Sequence, residues 1–287
     1  MEVQYFGWSG ITIRHGERLI GFDLFGEAVT WAALPGAATT ILCVTHGHPE
    51  HCGSLRQLLS AGDARLDRTH IISSQPVIDH VTRGLNHAAN AHVLTCDMSV
   101  AIDGVQVSGF EWKHMPLLPP SVRAKISYAA HVLSRPLAFA RVASSGLRLP
   151  MNAPMLGFHV VFADGLRVLN YAEGLHRLTD PREVEAVAQR WPADVLLFAV
   201  EPDDVDAIPR WIEILSPSMV ILYEAHRPWR EMFGLPYVDL EGYSAGLAEK
   251  LGQIQFVPLI ATGKQRIDML ASDYIQSPTR LASSDNF

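Results

Sequence analysis

The run "TTILCV", Thr39 to Val44, is followed at once by "THGHPEH". A continuous stretch of β-branched and apolar residues is the pattern of a strand buried on both faces. Three histidines, His46, His48 and His51, and one carboxylate, Glu50, then fall within six positions. Alternate residues on an extended or turning segment face one way, so His46 and His48 can converge. Glu50 and His51 stand at the turn into a helix, where their side chains can swing back to the same point. Imidazole and carboxylate together suit zinc, iron or manganese. The chain must therefore carry a loop of metal-seeking groups at the end of a central strand.

Such a strand needs apolar cover on both sides. Hydrophobic residues make up 48% of the 287 positions and charged residues 18%, so a sizeable core is within reach and disorder is not the default. The net charge of −7 argues against a general nucleic-acid binder. No apolar stretch approaches the roughly 20 residues needed to span a bilayer. The opening "MEVQYFGWSG" lacks the basic-then-apolar layout of a signal peptide. Cys43, Cys52 and Cys96 are too few, and odd in number, for a disulfide framework. The expectation is a cytoplasmic protein with reduced thiols.

The opening alternates: "VQYFGWSGITIRHGERLIGFDLF" reads as short strands broken by Gly7, Gly10 and Gly16. "HCGSLRQLLSAG" reads as one short helix ending at Gly62. "HIISSQPVIDHV" gives a strand and a helix start. Asp103-Gly104 and Asp164-Gly165 each join two alternating strands. "DPREVEAVAQRW" is a helix with Asp180 as cap and Pro181 at its first position. "ADVLLFAV", "SMVILYEAH" and "IQFVPLI" are strands, separated by the helices "DVDAIPRWIEILSP" and "YSAGLAEKLGQ". Strands alternating with helices imply an α/β sandwich and a single domain over residues 1–287, with a loose polar tail from about 271.

Residues 115 to 155 break this rhythm. From Trp112 to Ala163 there is no Asp or Glu, while Lys113, Arg123, Lys125, Arg135, Arg141 and Arg148 are cationic. We read this insertion as a basic, apolar lid. Arg123, Lys125, Arg135 and Arg141 are its candidate substrate-binding residues, for a small anionic molecule with an apolar part. A weaker reading is contact with an anionic membrane surface.

"THGHPEHCGSL" resembles the H-x-H-x-D-H signature of the metallo-β-lactamase fold superfamily, and the similarity runs along most of the chain. The order of elements is most similar to the branch of ascorbate-6-phosphate lactonase and the N-acylphosphatidylethanolamine phospholipase D enzymes. The resemblance implies a four-layer αββα sandwich with two divalent metal ions at one edge, zinc first, with manganese or iron as alternatives. It implies His46, His48 and His114 on the first ion; Glu50, His51 and His226 on the second; and Glu173, in "VLNYAEGLH", bridging them. Asp23 either orients a ligand histidine or caps a turn. Cys52 reads as a small buried residue.

The family usually has Asp where this chain has Glu50 and Glu173. Glutamate is one methylene longer. The alternatives are a site refitted for iron or manganese, a single well-held metal, or His176 or Glu224 in place of Glu173. A metal pair lowers the pKa of a bridging water and polarises the oxygen under attack. The expected function is a metallo-hydrolase using a metal-bound hydroxide on an ester, lactone or phosphodiester, with Glu50 and Glu173 as its catalytic carboxylates. The other readings are a diiron oxygen-handling enzyme and a non-catalytic binding descendant.

Overall fold

The apolar alternation of the sequence becomes two seven-stranded sheets laid face to face. A computed structural model describes residues 1–85, 90–115, 119, 121–137, 139–140, 150, 152–260 and 262–267. The expected tail from 271, Arg141 and Arg148 lie outside these. The first half supplies β1 (Glu2–Gly7), β2 (Gly10–His15), β3 (Arg18–Phe22), β4 (Thr39–Cys43), α1 (Pro49–Cys52), α2 (Leu55–Ser60), β5 (Thr69–Ser73), α3 (Gln75–Thr82) and β6 (Asn90–Val93). The hairpin β7 (Ser99–Ile102) and β8 (Val105–Glu111) follows, then α4 (Val122–Leu133), β9 (Leu156–Val161) and β10 (Arg167–Ala172). The described residues continue with α5 (Pro181–Arg190), β11 (Val195–Ala199), α6 (Ile208–Leu215), β12 (Met219–Tyr223), α7 (Arg227–Phe233), α8 (Leu240–Leu251), β13 (Gln255–Pro258) and β14 (Gly263–Arg266).

The strand order is β14-β1-β2-β3-β4-β5-β6 in one sheet and β13-β12-β11-β10-β9-β8-β7 in the other. Period-two side-chain direction explains the layers. In β4, Ile41 and Cys43 face the core between the sheets, and Leu42 faces outward with Val44, just beyond the strand, toward the helices. In β11, Val195, Leu197 and Ala199 face inward, while Leu196 and Phe198 face the second helical layer, as does Val200 one residue on. Leu55 and Leu58 of α2 and Val77 of α3 cover the first sheet; Val184 of α5, Trp211 of α6 and Leu247 of α8 cover the second. This is the αββα sandwich that the resemblance implies.

Two local expectations change. The helix expected up to Gly62 is divided into α1 and α2, with Gly53 and Ser54 between them; a Cβ on Gly53 would crowd the Pro49 carbonyl and the Phe25 ring. β14 was not anticipated: "GKQR" is exposed and polar, and is a strand only because it pairs antiparallel with β1.

What positions the site is strand direction. β3, β4 and β5 run parallel, as do β10, β11 and β12, and two antiparallel steps through β9 return β8 to the direction of β10. Asp23, His46, His114, Glu173, Glu201 and His226 all lie one to three residues past the C-terminal ends of such strands. In open α/β sheets that is where ligands bind.

Candidate metal centre

The loop after β4 is held by Asp23. Its Oδ1 accepts the Thr45 backbone N–H at 2.7 Å and its Oδ2 accepts the Thr45 hydroxyl at 2.8 Å. The same Oδ2 lies 3.0 Å from His51 Nδ1. Asp23 therefore orients His51, the first of its two sequence readings. It has φ of +47°, a left-handed backbone that costs a non-glycine residue of order 1–3 kcal/mol. Ala172, immediately before Glu173, has φ of +48°, and the β10–β11 register shifts between Asn170 and Ala172. The bulge re-aims the chain so that the Glu173 carboxylate turns into the site.

Four histidines use one device. His46 Nδ1 meets the Thr45 hydroxyl at 2.9 Å, and His51 Nδ1 meets Asp23. His114 Nδ1 meets the Met115 carbonyl at 2.8 Å, and His226 Nδ1 meets Glu201 Oε1 at 2.8 Å. With Nδ1 engaged, each Nε2 is the nitrogen left for a ligand role, and the ring is locked in orientation.

Three of these histidines converge with His48 and Glu173, and His226 stands outside both groups. The ligand atoms of His46, His48 and His114 all lie within 4.8 Å of one another, as do those of His46, His51 and Glu173. Glu173 is shared: Oε1 is 3.2 Å from His51 Nε2, and Oε2 is 3.2 Å from His114 Nε2. Neither contact is aligned as a hydrogen bond. Nε2 of His46, His51 and His114 and Oε2 of Glu173 are all buried without a hydrogen-bond partner. Leaving one such atom unpaired costs about 1–3 kcal/mol, and these four fall within the two overlapping groups that share His46. Imidazole nitrogens and a carboxylate oxygen gathered in such groups are donors that fit divalent transition metals.

The expected second triad is arranged more loosely. Glu50 Oε1 is 3.7 Å from His48 Nδ1 and 4.0 Å from His226 Nε2, so these groups stand at the mouth, while His51 reaches inward to His46 and Glu173. His176 and Glu224, the alternatives to Glu173, are engaged elsewhere. The His176 ring contacts the Lys113 carbonyl and the Leu178 amide, and Glu224 Oε1 accepts the Val238 N–H at 3.0 Å. Cys52 is buried in the outer core, as read from the sequence, and its thiol donates to the His48 carbonyl.

The charges interlock. Burial pushes the His51 imidazole down, but Asp23 and Glu173 more than reverse this and hold it well above its ordinary range. Burial pushes Glu173 up, and His51, His226 and His114 overcome it and keep the carboxyl ionised. His46, buried and beside His51, is driven well below its ordinary value and is neutral. His226 is raised to about 9 because Glu173 and Glu201 outweigh its burial.

Arg123, Lys125 and Arg135 do not join the centre. All three are exposed, the first two on α4 and Arg135 just after it, and Arg135 turns toward the Glu231 carbonyl at 3.5 Å. Three supporting residues were missed in the sequence. Thr45 shares Asp23 with His51. Glu201 bonds His226 and also accepts Arg230 Nε at 2.8 Å and Nη2 at 2.7 Å. Pro150 closes over Gly47. A carboxylate two residues past the buried strand "VLLFA", at the sheet edge that holds the histidines, was the available signal for Glu201.

No protein-family model matches the sequence, and no curated protein matches it significantly. Solved structures do resemble it. The CmlA β-hydroxylase E377D mutant is 14% identical with a TM-score of 0.58, covering 93% of this chain and 54% of that one. The short form of human tRNase Z is 13% identical with a TM-score of 0.56, covering 94% and 100%. YhfI from Bacillus subtilis, described as a metallo-β-lactamase fold protein, is 10% identical with a TM-score of 0.54, covering 92% and 98%. The chain thus spans about half the length of CmlA and nearly all of the other two. Two face-to-face sheets between helices, the convergence of ligands at one edge and these likenesses together establish that the chain adopts the metallo-β-lactamase fold.

Proposed function

We propose that the protein is a metal-dependent hydrolase acting on an ester, lactone or phosphodiester of a small anionic substrate. The observation that carries this reading is the set of four buried, unpartnered ligand atoms on His46, His51, His114 and Glu173. His46, His48 and His114 would hold one ion, and His51, Glu50 and His226 the other, with Glu173 shared between them. When bound, such a pair acts as a Lewis acid and lowers the pKa of coordinated water.

The remaining roles fall to the chain itself. Glu50 is held below the usual carboxylate range by His48, His51 and His226, which outweigh its burial, so it is ionised at neutral pH. It is half-buried at the mouth, where an ionised carboxylate can accept a proton from a substrate or water. Glu173 is sealed from solvent and serves as a fixed negative charge. The cations of the 112–163 segment would draw an anionic substrate toward the mouth. The resemblance to the lactonase and phospholipase D branch supports testing lactones and phosphodiesters first. Zinc is the expected metal, with manganese or iron as alternatives. Cys43, Cys52 and Cys96 are free thiols, which supports a cytoplasmic setting. No helix among the described residues is long and apolar enough to cross a membrane.

One observation favours a second reading. Glutamates at 50 and 173 enrich the site in carboxylate, and CmlA, described as a diiron β-hydroxylase, has a similar fold. Elemental analysis of protein purified without chelator, beside His46→Ala, separates the two. Two zinc or manganese ions per chain, lost in the variant, with turnover of a lactone or phosphodiester, supports the hydrolase. Two irons and an oxidised product support the second reading, and no stoichiometric metal rejects both.

A further inference from the structure

α4 shows two apolar faces, and only one of them is covered. Val132 is buried against Phe233 and Leu235, with Tyr128 and Trp229 packed beside them. The Trp229 indole N–H donates to the Tyr128 hydroxyl at 3.2 Å. This contact pins the helix to α7, which begins directly after His226. On the other side, Val122, Ile126 and Leu133 are 73%, 67% and 73% exposed, and Leu137, just past the helix end, is 87% exposed. Val122, Ile126, Ala129 and Leu133 occupy positions i, i+4, i+7 and i+11, a single stripe along a helix of 3.6 residues per turn.

Cations border the stripe. Arg123 follows Val122 by one residue and Lys125 precedes Ile126 by one. At about 100° per residue they fall on opposite sides of it. Neither makes an ion pair with another described residue, and the chain from Trp112 to Ala163 has no carboxylate. A protein of net charge −7 has therefore placed an uncompensated positive, apolar strip on its surface beside the mouth of the candidate metal centre.

We propose that this face of α4 docks on an anionic lipid surface, with Val122, Ile126, Leu133 and Leu137 entering the headgroup–acyl boundary and Arg123 and Lys125 meeting lipid phosphates or carboxylates. Charge complementarity selects this occupant. In a two-fold dimer through the same face, Arg123 and Lys125 of one copy would meet a copy of the same segment, which offers no Asp or Glu to pair with them. A polynucleotide would match the charge but leave the aliphatic stripe uncovered. A basic border around an apolar stripe is the composition that lies in an interfacial plane. The inference concerns where the chain sits, and it stands whichever reaction the centre performs.

The test is co-sedimentation of the full chain, as purified, with vesicles of phosphatidylcholine alone or mixed with phosphatidylserine. The native protein is expected to bind the mixed vesicles, more weakly as salt rises, and not the neutral ones. Arg123→Gln with Lys125→Gln should weaken binding by roughly thirtyfold, from about 1 kcal/mol per cation near an anionic surface. Ile126→Asp with Leu133→Asp should abolish it, with circular dichroism and metal content as native. Should the aspartate pair fail to fold, the glutamine pair alone decides, since both of its side chains are in solvent. Failure of the native chain to bind mixed vesicles, or equal binding by the variants, overturns the proposal. A dimer in sedimentation velocity that the aspartate pair dissociates, without vesicle binding, would assign the face to self-association instead.

Discussion

The backbone carbonyl of Pro150 occupies the space that a side chain on Gly47 would need. Gly47 is the single residue between His46 and His48, so the end of the basic segment is pressed onto the loop that presents both imidazoles. The Leu156 N–H donates to the Thr45 carbonyl at 2.9 Å and fastens the same junction.

Gly47→Ala must therefore displace either Pro150 or the histidine loop. We expect a loss of about 1–3 kcal/mol, the usual cost of overpacking, together with weaker metal retention. Thermal denaturation and elemental analysis on the same preparation check this. Gly36→Ala, where nothing lies within 4 Å, is the control expected to leave both unchanged.

Glu173 faces His51 with one oxygen and His114 with the other. Glu173→Gln keeps the volume and removes the charge that both imidazoles share. The expected result is a drop from two bound metals to one or fewer with the fold retained. Elemental analysis showing two ions in the Gln variant would remove Glu173 from the ligand set.

Glu201 touches no expected substrate position; it positions His226 and is itself held by Arg230. Glu201→Gln cannot serve both partners as a carboxylate does. Metal affinity should fall 10- to 100-fold, the usual effect of removing a residue that orients a ligand. Competition against a chromogenic chelator measures it. Glu231→Gln, which breaks only the exposed pair with Arg227, should have no effect.

His70 and His92 lie side by side on β5 and β6, with Nδ1 of one 3.0 Å from Nε2 of the other. Burial, and for His70 also the neighbouring ring, lowers both below their ordinary value of 6.5. The unfolded chain then binds more protons than the native one as pH falls below 6.5. The pair's contribution to stability is therefore full above that value and is lost as pH drops through the depressed native values. Urea titrations across this interval should show the decline, and it should be shallower in the double variant His70→Gln, His92→Gln.

Much of the fold was legible in the sequence. Period-two alternation and β-branched runs marked β1 to β5 and β7 to β13. The turn dipeptides Asp103-Gly104 and Asp164-Gly165 marked two hairpins, and Asp180-Pro181 marked the start of α5. These are local signals, carried by residues that contact their own neighbours. β14 had no such signal, because its strand character comes from hydrogen bonds to β1 at the other end of the chain.

The same division holds at the candidate centre. His46, His48, Glu50 and His51 announce themselves by spacing, since one loop carries them all. His114, Glu173 and His226 could be nominated because each follows a recognisable strand. That Glu173 turns both oxygens onto imidazoles, that Glu201 and Asp23 hold rings in place, and that Gly47 lies beneath Pro150 were decided by tertiary structure. Hydrophobic alternation along the chain specifies which way each strand faces. Which strand ends meet is set by the order of the strands within two sheets, a long-range arrangement that no single segment encodes.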